Sequence, residues 1–344
     1  MHVRARALPL IVAATLGVSP LVAQSVDLTG AGATFAYPIY SRWISDYVAK
    51  TGLRINYQSI GSGGGVRQLS ERTVDFGASD APVPDAELAR LGDRRILHIP
   101  TVVGGVVAAY NLPGVTATLR LSGPVLADIF QGRITKWNDS RIVALNPLAK
   151  LPNRSILVVY RADGSGTTYV FSDYLSTVSP AWAKGPGRGM SLSWPVGLGG
   201  KGNEGVSGQV RQIAGAIGYI ELTYAKQNRL AYADIQNRDG AFVTASSASI
   251  GAAAGGAVKT ITGGETRVSI VNAPGKGAYP IASYTWVLVD AKNGNAAKAT
   301  KVADFLRFAL TTGQKAVPAL YYAPLPPAVV PTLLRMVDGI APAK

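Results

Sequence analysis

At one place the chain changes secondary-structure period over a very short stretch. Residues 156–160 (ILVVY) are an unbroken apolar run, and residues 168–175 carry apolar positions at helical spacing. Between them lies RADGSGTT (161–168), a turn of glycine, serine and threonine with one arginine at its start. A strand that passes to a helix through so short a turn is a β–α unit, the building block of layered α/β folds.

The alternation recurs along the chain. Tyr40, Trp43, Ile44, Tyr47 and Val48 share one helical face, and Lys50-Thr51-Gly52 closes that helix. The spacing then predicts a strand over 53–59, a short helix over 66–73 and a strand over 74–78. Further buried strands are expected over 102–110, 214–221 and 284–289. A late helix over 297–310 turns Val302, Phe305, Leu306, Ala309 and Leu310 inward. The class is α/β with largely parallel sheets. Residues 236–278 are rich in glycine, alanine and serine with weak periodicity, which predicts loops and short pieces on a second domain. At 344 residues the chain is long enough for two domains.

Arg4 and Arg6 precede an apolar run over 8–18, followed by Ser19, Pro20 and Ala23. That is the pattern of a secretory signal peptide over residues 1–23, cleaved after Ala23, although Leu21 at −3 is not a small residue, or after Ser25, with Ala23 at −3. The run is too short to span a bilayer. The chain has no cysteine, which removes disulfides, thiolate nucleophiles, thiolate metal sites and a cysteine lipid anchor. Net charge is +14, and +12 once Arg4 and Arg6 leave with the leader. The charges are scattered with no run of basic residues, so an affinity for small anions is favoured over nucleic acid.

Four small-residue loops stand before helices: GAGATF (30–35), GSGGG (61–65), RADGSGTT (161–168) and the glycines of 197–205. A helix N-terminus presents free backbone N–H groups and partial positive charge. Glycines let a ligand reach that backbone, and serine and threonine add hydroxyl donors. Arg161 adds a planar cationic fork suited to a tetrahedral oxyanion. Asp80, in ASDAP (78–82), stands just past a strand end, where α/β folds place ligands. A carboxylate there selects a protonated oxyanion. Phosphate keeps a P–OH that donates to it, whereas sulfate has none and would be repelled.

Two other chemistries touch these residues. Gly197, Gly199 and Gly202 match G-x-G-x-x-G, with Glu221 about twenty residues on, but Trp194-Pro195 is a poor end for a central strand. Ser165 suggests a hydrolase or secreted phosphatase nucleophile, yet the G-x-S-x-G spacing fails at Asp163 and Thr167. Past the leader the only histidine is His98, in an apolar strand-like context, which leaves a triad without a base. No enzyme activity, cofactor or metal site is expected. Among other oxyanions, arsenate shares phosphate's shape and proton and stays open.

At LTGAGATF (28–35), GSGGGVRQL (61–69), VDFGASDAP (74–82), RADGSGTT (161–168), GLGGKGNEGV (197–206) and GAIGYIELTYAKQN (215–228) the sequence resembles the periplasmic phosphate-binding protein family of phosphate ABC transporters. A weaker likeness returns over 279–327, and 236–278 does not match. The resemblance implies a type II-like fold of two lobes, each a mainly parallel sheet flanked by helices, joined by a strand hinge. It puts one lobe at 26–103 plus 280–344 and the other at 104–279. It implies that phosphate is held by Thr34, the Phe35 N–H, Ser62, Asp80, Arg161, Ser165, the Gly166 N–H and Thr167, with Asp163 orienting Arg161. Position 63 departs from the family's frequent GSSGG, because Gly63 removes one hydroxyl. The implied partners are inorganic phosphate and the inner-membrane permease subunits, the implied place is the periplasm, and a monomer is expected.

Overall fold

The computed structural model describes residues 27–292 and 294–340, together with His2. Apart from His2, the expected signal peptide lies outside the described residues. The strands are β1 Leu28–Gly32, β2 Ile55–Ser59, β3 Phe76–Ser79, β4 Ile96–Tyr110, β5 Arg120–Leu121, β6 Leu157–Arg161, β7 Leu198–Gly200, β8 Ala216–Glu221, β9 Ala231–Tyr232, β10 Asp234–Gln236, β11 Phe242–Val243 and β12 Ala282–Asp290. The principal sheet runs β2-β1-β3-β12-β4-β8-β6-β7, with β9 also on β4. The outer sets are parallel: β1 with β2 and β3, and β6 with β7 and β8. Between them β12 and β4 pair antiparallel, and β4 meets β8 antiparallel.

β4 joins the two halves. Its residues 96–105 pair with β12, and from Val106 onward it pairs with β8. It is longer than the strand expected over 102–110. Pro100 lies where the register against β12 shifts between Thr285 and Trp286, and a bulge is a place where a sheet tolerates proline. Thr101 at that bulge donates to the Thr285 carbonyl at 3.1 Å and shares a 2.8 Å hydrogen bond with the Tyr40 hydroxyl.

Each half has its own aromatic packing. Tyr57 meets Tyr40 edge-on and stacks with Phe76, which touches Phe305, on the β1 side. Phe171 and Trp194 stack on Tyr219, and Phe130 touches all three, on the β6 side. The β–α alternation read from sequence holds, with shifted helix starts. The helix expected over 66–73 is Ser62–Ser70, and the one over 168–175 is Gly166–Val178. Two of the small-residue stretches are thus first helical turns as much as loops. Glycine is a poor helix former, but Gly65 brings the helix against the Ala31 and Gly32 backbone, where an added Cβ would stand 2.5 Å from backbone atoms. Packing overrides propensity there.

The region 236–278 holds more structure than its composition predicts. Strand β11 and the helices Ser247–Gly255 and Val258–Thr262 lie within it, the first helix closed at its N-terminus by a Ser246–Ser249 capping box. Beyond them Thr266 donates to the His98 carbonyl on β4 and accepts from the Trp286 indole on β12.

Candidate functional site

The carboxyl ends of β1, β3 and β6 face one another across the sheet's centre, and the predicted side chains stand there. Arg161 closes β6, Asp80 follows β3, and Thr34 follows β1. Ser62 and Gly166 open their helices. Thr34, Phe35, Ser62, Asp80, Arg161, Ser165 and Thr167 are all at least 97% buried. Buried polar groups need partners, and the partners define the site.

Arg161 is held on one edge by Asp163. Its Nε donates to Oδ1 at 2.8 Å and its Nη2 to Oδ2 at 2.5 Å, a bidentate fork. Nη1 reaches Thr167 Oγ1 at 3.3 Å, and the Arg161 backbone N–H donates to the Tyr219 hydroxyl at 2.9 Å. Asp163 also accepts the Gly202 N–H at 3.0 Å. Burial works against the charge on Asp163. The Arg161 bonds and the Gly202 N–H overcome it, so its carboxyl stays below the ordinary value.

Asp80 stands opposite. Its Oδ1 accepts from Thr285 Oγ1 at 2.8 Å, and its Oδ2 faces Ser62 Oγ at 3.4 Å. The Asp80 N–H in turn donates to Ser62 Oγ at 3.3 Å. Burial pushes the Asp80 carboxyl up to about 7, against the Thr285 bond, the Arg161 charge and the Ser62 bond. A Cβ placed on Gly166 would lie 2.5 Å from Ser62 Oγ and 2.6 Å from Asp80 Oδ2, so this helix start meets the Asp80 wall with no room for a side chain.

The structure therefore brings Thr34, Ser62, Asp80, Arg161, Gly166 and Thr167 into one buried cluster, with Asp163 where it can orient Arg161. Ser165 borders it. Its Oγ accepts the Thr168 N–H at 3.0 Å as the helix cap, and its backbone N–H donates to the Met190 carbonyl at 2.8 Å. Phe35 lies under the cluster with its carbonyl accepting the Tyr322 hydroxyl at 2.5 Å. His98 is elsewhere. Its Nε2 accepts the Val83 N–H at 3.1 Å, and burial above all lowers its pKa to about 4. One of the glycines that match a dinucleotide fingerprint, Gly202, serves this cluster instead, since its N–H goes to Asp163. Although Gly205 and Gly208 weaken it, the helix Gly202–Gln212 forms, and β7 before it is a strand rather than part of a loop.

Sequence reading missed Asn203, Thr285 and Tyr219. All three are fully buried and hydrogen-bond to cluster residues. Asn203 lies inside the GNEGV stretch, but no local spacing marks it. Thr285 and Tyr219 sit within strands, where alternation announces only burial.

The fold and this buried cluster define a class. The sequence matches the PBP superfamily domain over residues 18–312. A solved phosphate binding protein from Stenotrophomonas maltophilia superposes with a TM-score of 0.66 at 21% identity, over 90% of this chain and 93% of that one, which establishes the shared fold. The chain belongs, within that superfamily, to the family of the phosphate-binding protein PstS. It is 47% identical over 308 residues to the Xylella fastidiosa (strain Temecula1) member, covering 89% of this chain and 84% of that protein. It is 46% identical over 320 residues to the Haemophilus influenzae member, covering 93% and 94%.

Proposed function

We propose that this protein binds inorganic phosphate between two lobes in the periplasm and delivers it to the membrane permease of a phosphate ABC transporter. The observation that carries this reading is the pairing of a fixed cation with a buried acid. The Arg161 fork, locked by Asp163, faces Asp80, whose carboxyl titrates near neutrality. In its ionised form Asp80 accepts from P–OH while the other ligand oxygens take donors, so the site suits an anion that still owns a proton. Thr34, Ser62, Ser165 and Thr167 would supply hydroxyl donors, and Phe35 and Gly166 backbone N–H groups. Membership of the PstS family supports the ligand and the transport role.

The lobes are residues 26–103 with 280–344, and 104–279. Support for this division comes from β4, which changes partner from β12 to β8 at Val106. Contacts across the division draw the cluster shut. The Gly63 N–H donates to the Gly164 carbonyl at 3.0 Å, and the Tyr224 hydroxyl donates to the Thr34 carbonyl at 2.6 Å. Closure around a ligand is the signal a permease would read, and a single chain carries the whole site, so a monomer suffices. No described helix is long and apolar enough to cross a membrane, in keeping with an exported receptor.

No catalytic step is assigned. Ser165 Oγ is occupied as a helix cap, and His98 is turned to Val83. Turnover of p-nitrophenyl phosphate that is lost on Ser165→Ala would overturn this part of the reading.

Titration calorimetry on phosphate-stripped protein tests the function. Saturable one-to-one binding of phosphate is expected, and absence of binding would overturn the proposal. Arg161→Ala leaves a desolvated anion without its partner, so the affinity should fall by on the order of 2–5 kcal/mol.

A further inference from the structure

Asn203 is fully buried at the second residue of the helix Gly202–Gln212. Its Oδ1 accepts the Glu221 backbone N–H at 2.9 Å. A backbone N–H only donates, so this bond fixes which end of the amide is oxygen. The Nδ2 end must then point the other way, and there it meets two hydroxyls. It donates to Thr34 Oγ1 at 2.7 Å and to Thr167 Oγ1 at 3.2 Å. The Asn203 backbone N–H donates to Thr34 Oγ1 as well, at 3.3 Å, and Arg161 Nη1 donates to Thr167 Oγ1 at 3.3 Å.

A hydroxyl has one proton and two lone pairs. At Thr34 both lone pairs face donors, and the same holds at Thr167. Each hydroxyl is left with only its proton to offer. We propose that Asn203 is a positioning residue that makes Thr34 and Thr167 obligatory donors, so that these two positions accept only unprotonated ligand oxygens and the ligand's proton is directed to Asp80. This rests on the proposed phosphate function and adds to it a reason for the ligand's orientation. Asp80, already accepting from Thr285, is the acceptor of the cluster, and Asn203 keeps its two hydroxyls from competing for that role. The residue also joins the halves, since Thr34 follows β1 and Thr167 follows β6.

A double-mutant cycle with phosphate calorimetry on stripped wild type, Asn203→Ala, Thr34→Val and the double variant tests this. Asn203→Ala should weaken phosphate binding about tenfold in the wild-type background, the size of one lost hydrogen bond. In the Thr34→Val background its cost should shrink to about threefold, because one of the two hydroxyls it directs is gone and only Thr167 remains. Equal losses in both backgrounds, or no loss in the first, would overturn the inference while leaving phosphate binding in place. No phosphate binding by the wild type would overturn the functional reading and the inference with it. Asn203→Asp keeps the side-chain volume and the bond to Glu221 but accepts where the amide donates, drawing both threonine protons away from the ligand. It should bind phosphate more weakly than Asn203→Ala. An Asp variant that binds better than the Ala variant would show Asn203 to be packing alone.

Discussion

In the proposed site, selection rests on Asp80, and the burial of this residue has a measurable consequence without ligand. An unfolded aspartate titrates near its ordinary value, whereas this one titrates near 7. Between those values the folded chain holds more protons than the unfolded chain, so stability falls as pH rises through that window. Asp80→Asn in stripped protein should therefore match the wild type near pH 4 and exceed it at pH 8, by at most about 4 kcal/mol. Thermal unfolding at the two pH values checks this, and an equal shift at both would contradict it. His98 acts in the opposite sense. Its folded pKa of about 4 lies below the ordinary value, so its contribution to stability is present above that ordinary value and is lost as pH falls towards 4. Replacing His98 with asparagine should flatten the acid side of the stability profile between about pH 6.5 and 4.

At the scale of elements, what matters is where helices begin. The Gly166–Val178 helix starts against Ser62 and Asp80, leaving no space for a Cβ at Gly166. Gly166→Ala should block close approach of the two walls and reduce phosphate affinity at least tenfold. Alanine suits a helical position, so thermal stability of the stripped protein should change little. Binding that survives this change would contradict the closed geometry. The strand–turn–helix units were legible in the chain because apolar runs, glycine turns and helical spacing are local signals. Arg161 and Asp80 could be singled out because each stands at such a boundary, whereas the role of Asp163 came only from the family resemblance. Helix starts were less legible: Ser62–Ser70 begins within a glycine run that propensity alone would leave as loop, and contact with Ala31 and Gly32 decides it. Asn203 and Thr285 were not legible at all. Their roles depend on partners far along the chain, Thr34 for one and Asp80 for the other. In 236–278, low periodicity hid short elements, and beyond them Thr266 hydrogen-bonds to β4 and β12.

At the scale of the molecule, two halves share the strand β4 and meet across a polar cluster. Contacts that span it include Gly63 to Gly164, Tyr224 to Thr34, and the exposed ion pair of Arg267 with Asp85. If, as proposed, Thr34 and Asp80 grip the ligand on one side and Arg161 and Thr167 on the other, the ligand would favour the shut form. Small-angle scattering should show a smaller radius of gyration with phosphate than for stripped protein, and no change would contradict ligand-driven closure. In the proposed mode of binding, the cleft recognises a protonated oxyanion through Asp80. The most direct test of this claim is calorimetric competition of phosphate and sulfate in wild type and Asp80→Asn. Strong preference for phosphate in the wild type, narrowed in the variant, is predicted; equal affinity for the two anions in the wild type would contradict the claim.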